Sequence, residues 1–380
     1  MRFTINRETL VSNVQDVMKA VSSRTTIPIL TGIKIVASDE GITLTGSDSD
    51  ISIECFIPIQ EDDRQNVEIS KMGSIVLQAR FFADIVKKLP GETVEMEVLD
   101  SLTTRIRSGS SEFNLNGLDP EEYPRLPEVE GTEGFSIQAD LLKSIIRQTV
   151  FAVSTSETRP VLTGVNWQLE EGRLTCTATD SHRLAMRNVT IESKDGDLNF
   201  SNIVIPGKSL SELAKIIDDT DDLIEIIVAE NQILFKAKQL LFFSRLLDGN
   251  YPDTSKLVPN ESKTTITVSA KQMLQAIDRA SVLAREGRNN VVKLVSQDND
   301  LMEISSNSPE IGKVFEQVEA QSYEGEELKI SFSAKYVMDA LRAMDSSEVL
   351  ISFTGAMRPF LIRPIEGDSI LQLILPVRTY

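Results

Sequence analysis

His182 is the only histidine in the chain, and it stands in the run Thr179-Asp180-Ser181-His182-Arg183-Leu184. An imidazole beside a carboxylate and a guanidinium could move a proton or hold an anion, so an enzyme built on His182, Asp180 and Arg183 is one reading. The matching position of a repeated block holds Asp50, so the local fold does not demand histidine, and a single histidine excludes multi-histidine metal sites. Ile205-Pro206-Gly207-Lys208-Ser209 ends like a phosphate-binding loop, but Asn202 occupies the place of the required upstream glycine. Asp48 with Asp50 lies at a strand end, and the run Asp218 to Asp222, which lacks the glycine and terminal glutamate of a calcium loop, reads as a solvated turn. No catalytic constellation, metal site or cofactor is expected.

The elements that carry these residues repeat. Pro28-Ile29-Leu30-Thr31-Gly32 returns 132 positions later as Pro160-Val161-Leu162-Thr163-Gly164, and Thr43 to Ser49 returns at the same offset as Thr175 to Ser181. Strand-like Phe3-Thr4-Ile5 precedes helical spacing at Leu10, Val14, Val17 and Val21; Phe135-Ser136-Ile137 and Ile266-Thr267-Val268 open the same pattern, which makes a third copy. Each copy has a second amphipathic helix (Phe81 to Leu89, Leu210 to Ile217, Tyr336 to Met344), and Arg80, Lys208 and Lys335 stand at the openings. Each copy is therefore α+β, itself a duplication of a strand-helix-strands unit. Pro-rich acidic segments at Asp119 to Pro124 and Asp248 to Asp253 divide the chain into domains at 1–127, 128–252 and 253–380.

At 380 residues the chain is too long for one ordinary core, which agrees with three domains. No apolar run approaches a membrane span and the N-terminus has no signal core, so a cytoplasmic protein without membrane contact is expected. Cys55 and Cys176 fall inside apparent strands and read as reduced core thiols. The net charge of -18 argues, as a sum, against nucleic acid. Where the cations fall matters more than the sum.

The Thr179 to Leu184 run, Tyr251-Pro252-Asp253, the helix-opening cations, the Arg24 to Gly32 segment and terminal Leu375-Pro376-Val377-Arg378 resemble, over the whole chain, the bacterial DNA polymerase III beta subunit family, the sliding clamps. The resemblance implies three similar DNA-clamp domains and a closed ring formed by a head-to-tail homodimer, with helices lining the bore. It implies a non-enzymatic processivity factor that encircles double-stranded DNA without reading sequence. The charge conflict then dissolves, because topology replaces affinity and only the bore needs to be basic. Helix-borne candidates for it are Lys19, Arg24, Arg80, Arg147, Arg159, Lys208, Arg279, Arg288 and Lys335, of which Arg24, Arg80, Arg159 and Lys208 gain most from the resemblance.

The resemblance also implies a groove between domains II and III for short peptide motifs of the replicative polymerase (the polymerase III alpha subunit), the clamp loader, repair proteins and other partners. By position it uses Leu162, Thr179, His182, Arg183, Leu184, Pro252, Leu257, Met357, Pro359, Leu375, Pro376, Val377 and Arg378. Leu, Met, Val and Pro suit anchor side chains, while His182, Arg183 and Arg378 suit hydrogen bonds to a peptide. The dimer contact falls to Phe113 on one side and Val282 and Leu283 on the other. A monomeric repeat scaffold that binds proteins without DNA is the remaining rival class.

Overall fold

The computed structural model describes residues 1–22, 25–61, 64–126, 129, 134–191, 198–284, 290–298 and 300–378. It forms two compact units, one of Met1–Asp140 with Glu212–Leu246, the other of Leu141–Ser211 with Leu247–Tyr380.

One pattern, a strand, a helix and three antiparallel strands, generates both. Strand Arg2–Asn6 leads into helix α1 (Arg7–Val17) and strands Gly32–Ala37, Gly41–Ser47 and Ile51–Pro58; strand Gly73–Gln78 leads into α2 (Ala79–Lys88) and strands Thr93–Val98, Thr103–Ser108 and Ser111–Asn116. The middle copy runs Gly134–Gln138, α3 (Ala139–Thr149), Gly164–Glu170, Arg173–Thr179 and Arg183–Thr190, then Phe200–Pro206, α4 (Gly207–Leu213), Leu223–Val228, Gln232–Ala237 and Leu240–Arg245. The last copy runs Thr264–Ser269, α5 (Ala270–Ala284), Val291–Ser296, Leu301–Ser308 and Gly312–Glu319, then Lys329–Ser333, α6 (Ala334–Ala343), Glu348–Phe353, Phe360–Pro364 and Ile370–Ile374.

The helices bury the residues that the 3.6-residue period selects: Leu10, Val14 and Val17 in α1, Phe82 and Val86 in α2, Met273, Ile277 and Ala280 in α5. Asn6 caps α1 by accepting from the Thr9 amide at 3.1 Å. Gly46 lets the end of α1 close onto the sheet, since a Cβ there would lie 2.4 Å from the Val17 carbonyl oxygen. Helix α4 stops at Leu213, four residues before the expected Ile217, and the chain continues in turns toward Asp218 and Asp219. Carboxylates are unfavourable at a helix C-terminus, where the backbone dipole is already negative.

Two seams join copies edge to edge. In the first unit, strand Leu240–Arg245 pairs with Ile51–Pro58, with Ser244 opposite Ile51 and Phe242 opposite Ile53, completing an eight-stranded sheet. In the second unit, Ile370–Ile374 pairs with Arg183–Thr190, with Ile374 opposite Arg183 and Gln372 opposite Ala185, completing a nine-stranded sheet. Ile51 and Arg183 are equivalent in the repeat, as are Ser244 and Ile374, so both seams keep one register. Two strands in the corresponding places remain edges: Ser111–Asn116 ends a five-stranded sheet in the first unit, and Gly312–Glu319 a four-stranded sheet in the second. They present Phe113 at 39% and Phe315 at 64% exposure.

Cys55 and Cys176 are buried free thiols. Burial pushes Cys55 up to about 12 and Cys176 well above the usual thiol range, so neither forms thiolate near neutrality. Among the described residues no helix is long and apolar enough to cross a membrane.

Candidate functional site

The repeated Asp-Ser block is a turn. Asp48 Oδ1 accepts from the amides of Asp50 (3.1 Å) and Ile51 (2.9 Å), and Asp180 Oδ1 accepts from His182 (2.9 Å) and Arg183 (3.1 Å). Ser49 and Ser181 both take φ of 78°. The Asp side chain thus fixes the same hairpin in both copies, a local device that needs no function to explain it.

What differs follows the turn. Arg183 is 7% exposed and each nitrogen of its guanidinium has a partner: Nε donates to Asp180 Oδ2 (3.0 Å), Nη1 to Asp339 Oδ2 (2.8 Å) and Nη2 to the Phe151 carbonyl (2.6 Å). Its carbon lies 4.5 Å from the Tyr336 ring centre and 5.3 Å from that of Phe151. Three of the five guanidinium N–H groups are thus used inside the chain, and they tie the strand start to Asp180, Asp339 and Phe151. His182 is exposed beside Tyr336, ring centres 6.5 Å apart, and its carbonyl accepts from the Leu375 amide at 2.9 Å.

Beyond Arg183 an apolar row crosses three strands. Leu184 stands opposite Leu373, and Leu373 opposite Leu361. These three and Leu371 form a cluster against which Met186 and Val258 pack. The equivalent positions of the other seam hold Ser52, Phe243 and Leu234. Three leucines in line are thus peculiar to the second seam, where Leu184, Leu361 and Leu373 are 1%, 2% and 4% exposed.

Thr179 belongs to this site as a brace: its amide donates to the Tyr251 hydroxyl (2.9 Å) and its own hydroxyl to the Arg183 carbonyl (2.6 Å). Burial pushes the Tyr251 phenol up, keeping it neutral. Leu375, Pro376 and Val377 are half-buried, with the Val377 amide donating to the Ser331 carbonyl at 2.7 Å, and Arg378 is exposed. Leu257 and Pro359 line a shallow cavity of about 560 Å³ with Lys256, Thr354 and Arg358. Met357 and Pro252 are exposed, while Leu162 is buried in a 3-10 turn where its carbonyl accepts from the Ser154 amide. Sequence reasoning missed Leu361, Leu371 and Leu373; the alternation Leu371-Gln372-Leu373 marked one face of a strand but not what it would face.

Four of the helix cations form ion pairs within the chain. Lys19, Arg147, Arg279 and Lys335 carry carboxylate partners, respectively Asp16 (3.1 Å), Asp345 (2.6 Å), Glu316 (2.7 Å) and Asp339 (2.6 Å). Arg80 and Lys208 are exposed at the second positions of α2 and α4, and exposed Arg159 donates to the Ser181 hydroxyl at 2.6 Å. Arg24 and Arg288 lie outside the described residues. Val282 is 60% exposed and Leu283 half-buried in the last turn of α5. Among the described residues no group of three or more His, Cys, Asp or Glu side chains could hold a metal ion.

A strand-helix-strands unit used six times, with edge-to-edge seams between copies, defines a clamp-type protein. The comparisons specify it. Models of the N-terminal, central and C-terminal domains of the DNA polymerase III beta subunit match residues 1–127, 136–253 and 255–378, so the chain belongs to that family. It is 64% identical to the beta sliding clamp of Bacillus subtilis and 61% to that of Halalkalibacterium halodurans, over 380 residues and the full length of each chain. The crystal structure of the Bacillus subtilis DNA polymerase sliding clamp superposes with a TM-score of 0.97, and the DNA polymerase III beta chain of Streptococcus pneumoniae, 40% identical, with 0.95, both chains covered in full in each case. By family the chain is a non-enzymatic sliding clamp, and the enzyme reading of His182 falls.

Proposed function

We propose that two copies of this chain join head to tail into a ring that encircles duplex DNA and carries a polymerase along it. The observation that carries this reading is the pair of seams with one register and the pair of edges left over. The residue before each second helix stands opposite an equivalent position: Gln78 opposite Gly32, Pro206 opposite Gly164, Ser333 opposite Val291. Counting across the hairpins from there makes Val314 the equivalent of Ile53 and Ala185. The same count from the first helices makes Phe113 the equivalent of Phe242 and Gln372. A third seam then places Val314 of one copy opposite Phe113 of the other. Such a joint is heterologous, and two copies that use it twice pair both of these edge strands in each copy.

Domains at 1–127, 128–252 and 253–380 supply the three repeats per copy. Arg24, Arg80, Arg159 and Lys208 face phosphates without reading bases, so an acidic chain slides rather than stalls. The groove with Leu184, Leu361 and Leu373 at its floor takes extended motifs of the replicative polymerase, clamp loader and repair proteins, and tethering makes their re-engagement intramolecular. With a loader and ATP supplied, the protein is expected to stay on nicked circular DNA and to run off once the circle is cut. Equal retention on both forms means binding by affinity and contradicts the ring.

A further inference from the structure

Asp339 is a carboxylate shared by three cations. Its Oδ2 accepts from Arg183 at 2.8 Å and from Lys335 at 2.6 Å, and its Oδ1 lies 3.6 Å from Arg342. The Asp339 side chain is 15% exposed, Arg183 7%, and Asp180 on the far side of the guanidinium 13%. Arg183 is the first residue of its strand, flanked by exposed His182 and by Leu184, 1% exposed on the floor of the groove. No residue of α6 was singled out for the groove by sequence, although Asp339 sits one helical turn beyond Lys335.

We propose that Asp339 is a positioning residue for the peptide groove, acting through Arg183. The inference rests on the groove reading above. A guanidinium held between two carboxylates and a carbonyl has one orientation, and its strand start inherits it. Without Asp339, one face of a nearly buried cation loses its partner, and the guanidinium must turn toward solvent. That movement displaces His182 and Leu184, the two groove residues bonded to it through the backbone. The effect therefore appears in peptide affinity, not only in stability.

The test uses the full-length protein and a fluorescein-labelled heptapeptide with Leu and Phe anchors between polar residues, read by anisotropy, with melting temperature measured in parallel. Asp339→Asn is expected to weaken binding about tenfold, the scale of one charged hydrogen bond. In an Arg183→Gln background the same substitution is expected to add less than about twofold, because residues acting as one unit are not additive. Asp339→Glu keeps the charge but moves it, with an expected loss of about threefold, and it carries the test alone if the Asn variant does not fold. Wild-type affinity in Asp339→Asn or Asp339→Glu, or a full additional tenfold in the Arg183→Gln background, overturns the proposal while leaving the groove intact. Failure of the unsubstituted protein to bind the heptapeptide overturns the groove reading, and this inference with it.

Discussion

The Phe113→Asp chain is expected to sediment at the mass of one 42.2 kDa chain, under conditions where the proposed dimer of the unsubstituted protein sediments at about twice that mass. In the proposed third seam Phe113 stands opposite Val314, so the substitution removes a large apolar contact and sets a carboxylate against an aliphatic side chain. Desolvating that charge without a partner costs about 2 to 3 kcal/mol per seam, and a ring has two seams, so the dimer constant rises about 10⁴-fold. The fold itself should be spared. Phe113 is 39% exposed in the single chain and its pairing with Ile106 is a backbone matter, so far-ultraviolet circular dichroism stays that of the parent. A dimer of undiminished affinity would remove this strand from the joint.

The second large effect is on partners. Leu257 and Met357 are 49% and 53% exposed, so charges at these positions cost the fold little. In the proposed groove they supply exposed apolar contacts for a partner's anchor side chains. The double variant Leu257→Asp, Met357→Asp is expected to lose about 100-fold in affinity for the anchor heptapeptide while remaining dimeric, since anchor pockets carry most of the energy of such contacts. Truncating the floor would be a poorer experiment: Leu373 is 4% exposed, and emptying its place costs about 2 to 5 kcal/mol of stability. Unchanged affinity in the double variant would move the groove elsewhere.

The contrast between these effects tracks what the sequence made legible. Turns and helices are local: Asp48 and Asp180 bond amides two and three residues on, and the apolar period of α1, α2 and α5 points at the core without further information. The duplication could therefore be read from residue types alone. The role of Arg183 could not, because its decisive partner Asp339 is 156 positions away. Nor could the row Leu184, Leu373, Leu361, which exists only once two strands from different copies take their register. The helix cations show both cases. The Lys335–Asp339 pair has i,i+4 spacing and was open to reading, whereas the Arg279–Glu316 pair joins a helix to a distant strand. The early end of α4 was signalled by the acidic residues after it, but the apolar period ran on to Ile217 and masked the signal.

The broken symmetry of the seams ties fold to function. One seam is closed around Phe243, one carries the leucine floor, and the third has Arg105, Asn114 and Lys313 in the corresponding places. In the proposed joint these polar residues occupy the face opposite to Phe113 and Val314, so the leucine row belongs to the second seam alone.

A single covalent experiment reaches the central claim. Residues directly opposite in an antiparallel pair lie within disulfide reach, so the chain carrying Phe113→Cys and Val314→Cys is oxidised after loading on nicked circular DNA. Native Cys55 and Cys176 are buried with thiols pushed up, Cys55 to about 12, and do not compete. The account predicts a doubly cross-linked dimer that stays on the circle through detergent denaturation and leaves when the DNA is cut. Cross-linked protein that detergent strips from the intact circle, or no cross-link between the two introduced thiols at all, would contradict it.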